Sequence, residues 1–367
     1  MRSGIAYNST RVEQREAAMW AMIVKEFRQV RRDHRTLAMM IVMPVVLLVV
    51  FGYAASFDVS EIEVVAMGPG AEQASRRLPD PFQVESVEPA GDREEAIDTL
   101  RRGQAVVALI ADPSHPVALI DGSQLFPARA ALQALTAMRR QVPNLEVEVL
   151  FNPELDTSAV LVPGLGGLIL LFVGTVITSL GVVRERQAGT LEQLAVMPLR
   201  PRDVFVGKVA PYFLVAAVDL TVVLIVGTLL FEVPFNGSAL TLALGAVLFL
   251  FVTLGVGVVI SSVSENQAQA IQLALMTLLP QVLLSGIIFP LESMAAGVRW
   301  IGYILPLTYF NQIARGVMVR GAPFDSLLGP LAWLAVLGGA VFTLAVVRFR
   351  RDLAAAEAGP QPEPVAA

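Results

Sequence analysis

The residue in this sequence best placed to take part in chemistry lies inside an apolar segment. Asp219 stands in the middle of a long hydrophobic run. A charged side chain at the centre of a membrane helix costs on the order of 2.5 to 3.5 kcal/mol on insertion scales, so Asp219 should face protein or water. It could fix one helix against a neighbour, or it could contact a substrate or a proton. Gln281, in a later apolar run, allows the same two roles of helix contact or substrate path.

The sequence gives little support for a metal site or for a nucleotide-binding site. The chain has no cysteine, and its two histidines, His34 and His115, are too few for a metal centre. No G-x-x-x-x-G-K-S/T segment occurs, so the loop that binds phosphate in P-loop ATPases is missing. We therefore expect no catalytic residue, no metal and no cofactor in this chain, and no nucleic-acid partner.

The composition favours a membrane as the surrounding solvent. Hydrophobic residues make up 55% of the chain and charged residues only 16%, with a mean hydropathy of +0.64. A helix needs about 20 apolar residues to cross a hydrocarbon core of about 30 Å. Six stretches are long enough: Leu37–Phe57, Val160–Val183, Ala210–Phe231, Ala239–Val263, Ala268–Pro290 and Leu327–Val347. Glycines within them, such as Gly174 and Gly257, permit close helix approach.

Basic residues cluster at three places beside these stretches. The clusters occupy residues 25–35, 184–208 and 348–351. Because cytoplasmic loops carry an excess of lysine and arginine, we expect all three clusters, and both termini, in the cytoplasm. The segment 58–159 then faces outward, and its 17 acidic residues against 8 arginines agree with that orientation. Three dispersed arginines, Arg299, Arg315 and Arg320, fall on the predicted outer side.

The predicted fold is an α-helical polytopic membrane protein with six transmembrane helices and a small extracytoplasmic α/β domain. Within segment 58–159, β-rich runs alternate with helical patterns at Arg93–Arg102 and Phe126–Gln141. The β-rich runs are Ile62–Met67, Phe82–Glu88, Ala105–Ile110, Pro116–Asp121 and Leu145–Phe151. The predicted domains are a cytoplasmic amphipathic helix over 1–36, the first span over 37–57, the α/β domain over 58–159, a five-helix region over 160–347 and a cytoplasmic tail over 348–367.

The segment before the first span is amphipathic. Apolar residues such as Trp20, Ile23 and Phe27 recur at helical spacing, while Lys25 and several arginines form a basic face. Such a helix is suited to the surface of an anionic inner leaflet, so membrane lipids are expected partners.

The loop between the second and third spans carries a helix-start signal. Thr190 and Gln193 have the T-x-x-Q spacing of a capping box, and Gly189 permits a turn before it. Pro198 ends the helix because proline lacks the amide donor. The sequence predicts a short helix here, with Leu191 and Leu194 on one side.

Several segments together resemble the ABC type-2 permease family of bacterial exporters. They are Val162-Pro163-Gly164-Leu165, the R-E-R-x-x-G-T-L-E-Q-L run over 184–194, Pro198-Leu199, Gly207-Lys208, Lys25-Glu26-Phe27, Phe151-Asn152-Pro153-Glu154-Leu155 and the two runs over 284–294 and 305–310. The resemblance covers nearly the whole chain and is to the multidrug-efflux-like subgroup with a large outer domain between spans one and two.

This resemblance implies a permease subunit, not an enzyme, that moves a drug, lipid or similar amphiphile out of the cytoplasm or inner leaflet of the cell (inner) membrane. It implies a separate cytoplasmic ATPase that binds ATP and Mg, and a second permease half in a homodimer or heterodimer. A periplasmic adaptor is a further expected partner. It also implies an outer re-entrant segment over 291–326 and a coupling loop over 184–208. The residues assigned to coupling are Arg184, Glu185, Arg186, Gly189, Thr190, Leu191, Glu192, Gln193 and Leu194.

Two other classes of protein stay open on the sequence alone. A proton-coupled secondary transporter would use Asp219, although the span pattern shows no inverted repeat. A mechanotransmitting or sensor protein would use the outer domain to bind a ligand, but it would also need a cytoplasmic output domain. Co-purification with a separate ATPase would distinguish the exporter from both.

Overall fold

A computed structural model describes residues 61–140, 144–188 and 201–357 and the single residues 42, 45, 48, 49, 59 and 142. Of residues 186, 201–206, 208, 209, 296 and 349–357 it describes the backbone alone. The chain forms two compact units, Met1–Val49 and Val50–Ala367. The described residues of the first unit are helical and exposed: Val42, Val45, Leu48 and Val49. The predicted amphipathic helix over 1–36, and most of the first predicted span, lie outside the described residues.

The second unit begins with a five-stranded mixed sheet. Its strands are β1 (Ile62–Met67), β2 (Phe82–Glu88), β3 (Val107–Ile110), β4 (Val117–Asp121) and β5 (Glu146–Leu150), in the spatial order β2-β1-β3-β4-β5. Strands β3 and β4 pair antiparallel, and the other neighbours pair parallel. The helices between strands are α1 (Ala71–Ser75), α2 (Arg93–Arg102) and α3 (Leu125–Met138). All five strands lie within the β-rich runs that the sequence predicts.

Helices cover both faces of this sheet. Val64 shares a buried cluster with Leu135 of α3, whereas Val65 shares another with Leu100 of α2. Successive side chains of a strand point to opposite faces, and here both faces are buried. That double burial explains why β3 and β4 read as nearly continuous apolar runs, V-A-L-I and V-A-L-I-D.

Helix α2 has well-defined ends. The Asp92 side chain accepts a hydrogen bond of 2.9 Å from the N–H of Glu95 at the N-terminus. At the C-terminus Gly103 has φ +73, and its N–H bonds to the carbonyl of Leu100 at 3.0 Å. Glycine takes this left-handed conformation without strain, which ends the helix there. The two caps fix Arg102 at the last position of the helix.

Long apolar helices make up the rest of the second unit. In chain order they are α4 (Thr157–Phe172), a π turn (Val173–Ile177), α5 (Thr178–Gln187), α6 (Pro201–Leu230), α7 (Ala239–Val263), α8 (Gln267–Leu284), α9 (Ala296–Gly302), α10 (Pro306–Arg315), a second π turn (Gly316–Arg320) and α11 (Leu328–Glu357). Short 3-10 turns, Leu291–Ser293 and Phe324–Leu327, precede α9 and α11.

Five helical segments among the described residues are long and apolar enough to cross a membrane. They are Thr157–Glu185, Ala210–Leu230, Ala239–Val263, Gln267–Leu284 and Phe324–Arg348. Large apolar side chains cover their outer surface; Leu229 and Leu240, for example, are 79% and 81% exposed. A surface of this kind suits contact with lipid tails rather than water. The chain is therefore a polytopic membrane protein.

Helix α7 lies at the centre of the helical part. It packs against α5, α10, α11 and the first π turn. Phe249 of α7 stacks on Phe310 of α10, with ring centroids 4.9 Å apart. A Cβ atom at Gly257 would lie 2.6 Å from the carbonyl oxygen of Gly174, so only glycine fits at this crossing. The close approach expected of these two glycines is thus present.

Two ion pairs join the sheet to the segment between α8 and α11. Nη1 of Arg320 lies 3.4 Å from Oδ2 of Asp121 at the end of β4. Arg102 at the end of α2 pairs with Asp325, and also with Asp98 one turn earlier in the same helix. These hydrogen bonds, with Asp98 first, raise the pKa of Arg102 above its ordinary value. Arg320 is thus paired, through Nη1, with a buried carboxylate of the sheet.

Several helix boundaries differ from those predicted: α6 begins at Pro201 rather than Ala210, and the ends of α8 and α11 also differ. Helix α8 ends at Leu284 rather than Pro290, because Ser285 caps it and Gly286 has φ +79. The apolar residues 287–289 that extend the predicted span follow this turn and are not helical. Helix α11 instead continues past the predicted end at Val347 to Glu357.

Candidate functional site

The predicted coupling loop is partly within the described residues. Helix α5 continues the span through Arg184, which is exposed, and Glu185, which is half-buried, to its end at Gln187. The backbone of Arg186 belongs to the same helix. Gly189, Thr190, Leu191, Glu192, Gln193 and Leu194 lie outside the described residues. The helix-start signal at Thr190 therefore stays a prediction.

The end of α5 is bonded to the start of α8. Nε2 of Gln267 donates a hydrogen bond of 2.9 Å to Oε1 of Gln187. Gln267 is the first residue of α8, whose N-cap Asn266 accepts a hydrogen bond of 2.9 Å from the N–H of Gln269. The side chain of Gln269 in turn accepts a hydrogen bond from the N–H of Glu265. The ends of two spans thus meet at a fixed polar contact.

A second contact joins α5 to α6. A Cβ atom at Gly181 would lie 2.0 Å from the hydroxyl oxygen of Tyr212, so the tyrosine hydroxyl occupies the space beside the glycine. Arg184 and Glu185 follow on the same helix, one turn away. This part of α5 therefore contacts both α6, through Tyr212, and α8, through Gln267.

The structure places Asp219 near the middle of α6 with a half-buried side chain. Within the described part of the chain, no hydrogen bond or ion pair reaches its carboxylate. Helix α6 packs mainly on α4 and α11. Neither of the two predicted roles for Asp219, helix contact or substrate path, is decided by this position.

Gln281 lies in α8 and is almost fully buried, and its Oε1 atom has no hydrogen-bond partner among the described residues. Asn311 in α10 has the same property at both polar atoms of its side chain. Its Oδ1 atom lies 3.3 Å from the Cβ position of Gly164, in the V-P-G-L run. A buried polar group without a partner costs about 1 to 3 kcal/mol. These two amides are therefore candidates to bind water or substrate, and the sequence indicated only the first.

The F-N-P-E-L run at 151–155 has a structural role. The Asn152 side chain donates to the carbonyls of Gly122 and Asp156, at 3.2 and 3.0 Å, and accepts from the N–H of Asp156 at 2.9 Å. It therefore connects the end of the sheet to the start of α4. Among the described residues, no cluster of histidine, cysteine, aspartate or glutamate is arranged to hold a metal ion.

The family model described as "ABC-2 family transporter protein" matches residues 34–347. This match takes in the first predicted span, the sheet and, up to residue 347, the five apolar helical segments among the described residues. The chain belongs to the ABC-2 transporter family.

Curated relatives align over most of the chain. The probable multidrug ABC transporter permease YbhR of Escherichia coli (strain K12) is 27% identical over 367 residues, which cover 91% of this chain and 99% of the relative. The probable multidrug ABC transporter permease YbhS of the same organism is 30% identical over 335 residues, 82% and 88% of the two chains. The inner membrane transport permease YhhJ, also of that strain, is 34% identical over 217 residues, 57% and 56% of the two chains.

Proposed function

We propose that this chain is the membrane-spanning permease subunit of an ABC exporter, driven through the loop between its second and third spans. Family membership supports the permease role, and permeases of this family work with an ATP-binding subunit. A drug, a lipid or a similar amphiphile is the proposed substrate class, in keeping with relatives named as multidrug permeases. ATP and Mg bind to the partner, since the sequence has no phosphate-binding loop.

The proposed arrangement in the membrane has six spans, with both termini in the cytoplasm and the sheet outside. Two such halves pair, and substrate passes between them. The basic clusters at 184–208 and 348–351 support this orientation. The acidic character of segment 58–159 supports an outer position for the sheet, where an adaptor could also bind.

The observation that carries the coupling proposal is the contact of α5 with its two neighbours α6 and α8. A partner can move the spans only through a part of the permease that they must follow. Helix α5 leads from the span directly to the loop, and its last turn is bonded to α8 through Gln187 and Gln267 at 2.9 Å. Tyr212 of α6 is packed against Gly181 of the same helix. A force applied to the loop would therefore act on the span that α5 continues and, through these contacts, on α6 and α8.

Charge reversal in the loop tests the proposal. The permease is co-expressed with its ATPase subunit, and Glu192→Arg is compared with Glu146→Arg, the same change at an exposed position of β5. Membrane insertion, co-purification of the ATPase, ATP hydrolysis and ethidium export are measured for each. We expect Glu192→Arg to insert normally, to lose at least tenfold in export, and to lose either ATPase retention or the dependence of export on hydrolysis.

The Glu146→Arg variant should resemble the unmodified chain in all four measurements. Normal export by Glu192→Arg, with normal ATPase retention, would refute the coupling role of the loop but not the permease function. Export without any ATP-binding partner would refute the exporter assignment itself and favour the proton-coupled alternative.

A further inference from the structure

A cavity of about 510 Å³ lies where the sheet meets the helical part. The sheet side contributes Glu63, Arg102 and the segment Ser123–Pro127, and the helical side contributes the start of α4, the segment after α8 and the face of α10. Pockets that hold small molecules commonly measure about 300 to 1,000 Å³. The cavity is distinct from the coupling loop and uses none of its residues.

Charged side chains of both signs line the cavity wall. Arg315 and Arg320 are the basic part, and burial first and Arg320 second lower the pKa of Arg315 to about 10, although the carboxylates of Glu292 and Asp121 act in the opposite direction. Glu63 and Glu292 form the acidic part; partial burial and then Glu292 raise the pKa of the Glu63 carboxyl above its ordinary value of 4.5. Within the described residues, no hydrogen bond or ion pair reaches the charged groups of Arg315, Glu63 or Glu292.

Three residues that line this cavity also contain a buried polar atom without a hydrogen-bond partner among the described residues. The hydroxyl oxygens of Ser123 and Ser285 belong to residues that are 1% exposed, and neither has a hydrogen-bond partner among the described residues. Nε of Arg320 is likewise buried and unpartnered, although Nη1 of the same residue pairs with Asp121. Buried donors and acceptors are seldom left unpaired in folded proteins. These residues therefore have unused hydrogen-bonding capacity beside the cavity.

The remaining wall is apolar. It includes Leu125, Phe126, Val160, Leu161, Ile287 and Leu291. A ligand that fits must therefore combine hydrocarbon with charge. A purely anionic group would meet Glu63 and Glu292 as well as the arginines, and a purely cationic group would meet the arginines as well as the carboxylates. A group that carries both charges meets an opposite charge from each set of residues.

We propose that this cavity binds a zwitterionic amphiphile, whose anionic group lies at Arg315 and Arg320, whose ammonium lies at Glu63 and Glu292, and whose hydrocarbon follows the apolar wall. Phosphoethanolamine has this pairing of charges, either as a lipid headgroup or as a free molecule. The apolar wall selects the lipid form. This site is independent of the coupling role proposed above.

Native mass spectrometry of the purified full-length chain in detergent tests the site. Dioleoyl phosphatidylethanolamine, dioleoyl phosphatidylglycerol and free phosphoethanolamine are titrated separately. We expect the zwitterionic lipid to bind at least tenfold more tightly than phosphatidylglycerol, which lacks the ammonium, and than the free headgroup, which lacks the chains. Equal binding of the two lipids would overturn the proposal of a zwitterion, and equal binding of free phosphoethanolamine would overturn the proposal of an amphiphile.

Variants then locate the binding. Arg315→Gln should weaken phosphatidylethanolamine binding at least tenfold, Arg315→Lys should largely retain it, and Glu292→Gln should bring the two lipids to similar affinity. The matched control is Arg77→Gln, at an exposed arginine outside the cavity, which should bind like the unmodified chain. The melting temperature of each variant is measured alongside. Unchanged binding in a folded Arg315→Gln variant would contradict the site.

Discussion

Nη1 of Arg320 lies 3.4 Å from Oδ2 of Asp121, although 199 residues of chain separate the two. The Asp121 side chain is fully buried, and the Arg320 side chain is 11% exposed. Oδ1 of the same carboxylate accepts a hydrogen bond of 2.9 Å from the N–H of Ser123. This pair fixes the end of β4 against the turn that follows α10.

The first prediction concerns this pair. Removing one partner of a buried ion pair leaves an uncompensated charge and costs about 3 to 5 kcal/mol. Arg320→Gln should therefore lower the melting temperature of the purified chain strongly, while Asp121→Asn with Arg320→Gln should lower it less, since no charge is then left buried. Differential scanning fluorimetry in detergent measures both. A double variant no more stable than Arg320→Gln would show that the two side chains do not interact.

Helix packing at Gly257 gives a second prediction. A Cβ atom there would lie 2.6 Å from the carbonyl oxygen of Gly174 and 2.9 Å from that of Thr175, and backbone atoms cannot move aside easily. Gly257→Ala should destabilise the chain by about 1 to 3 kcal/mol, as overpacking does. Gly329→Ala is the matched control, because nothing lies within 4 Å of its Cβ position. Equal thermal stability of the two variants would contradict the close crossing of these helices.

A third prediction follows from the acidic surface around Glu63. Partial burial, and then the carboxylates of Glu292, Glu85 and Glu61, raise the pKa of Glu63 above its ordinary value of 4.5. The charged form is therefore disfavoured in the folded chain, so this group destabilises the fold above its raised pKa and ceases to do so as the pH falls below 4.5. Glu63→Gln should raise the melting temperature at pH 7 and leave it unchanged at pH 4.

Glu72→Gln, at an exposed position of α1, controls for the general loss of a negative charge. It should change the melting temperature little at either pH. A stabilisation by Glu63→Gln that was the same at pH 7 and pH 4 would show that ionisation of this carboxyl is not its cause.

Membrane orientation is the fourth prediction. The chain has no native cysteine. A thiol reagent will therefore label only the single cysteine that is introduced. Gln73 is exposed on α1 and Ala188 is exposed after α5. Gln73→Cys should react with an impermeant maleimide in intact cells once the outer membrane is permeabilised, whereas Ala188→Cys should react only after the inner membrane is opened. The reverse pattern would invert the proposed topology. Ser123, although in the same segment as Gln73, is buried and would not report.

Local sequence patterns predict the individual elements of this fold well. Alternating and apolar runs locate β1 and β2 with the observed bounds, and Arg93–Arg102 is helical as its pattern indicates. The end of α8 is the main exception. Ile287, Ile288 and Phe289 extend the apolar run, but the backbone turn at Gly286 depends on conformation rather than hydropathy. The π turns, too, leave no mark in the hydrophobic pattern.

Contacts between distant parts of the chain could not be predicted in the same way. Arg320 and Arg315 read from the sequence as two arginines that weaken the orientation rule. Only the folded chain shows that the first pairs with Asp121 and that the second faces a cavity. Likewise, no feature of the sequence around Gln187 identifies Gln267 as its hydrogen-bond partner. The coupling segment therefore stays a prediction from the sequence, and the contacts of α5 with α6 and α8 could not be predicted from it.

The π turn at Val173–Ile177 sets the rotation of everything that follows it in α5. A π turn holds one residue more than the α-helical pattern, and each residue turns an α-helix by about 100°. Deleting one residue here would restore a continuous α-helix and swing Gly181 and Gln187 away from Tyr212 and Gln267. The length of this span is therefore constrained in evolution, whichever apolar residues compose it. Deleting one codon among these apolar residues would remove the contacts of α5 with α6 and with α8.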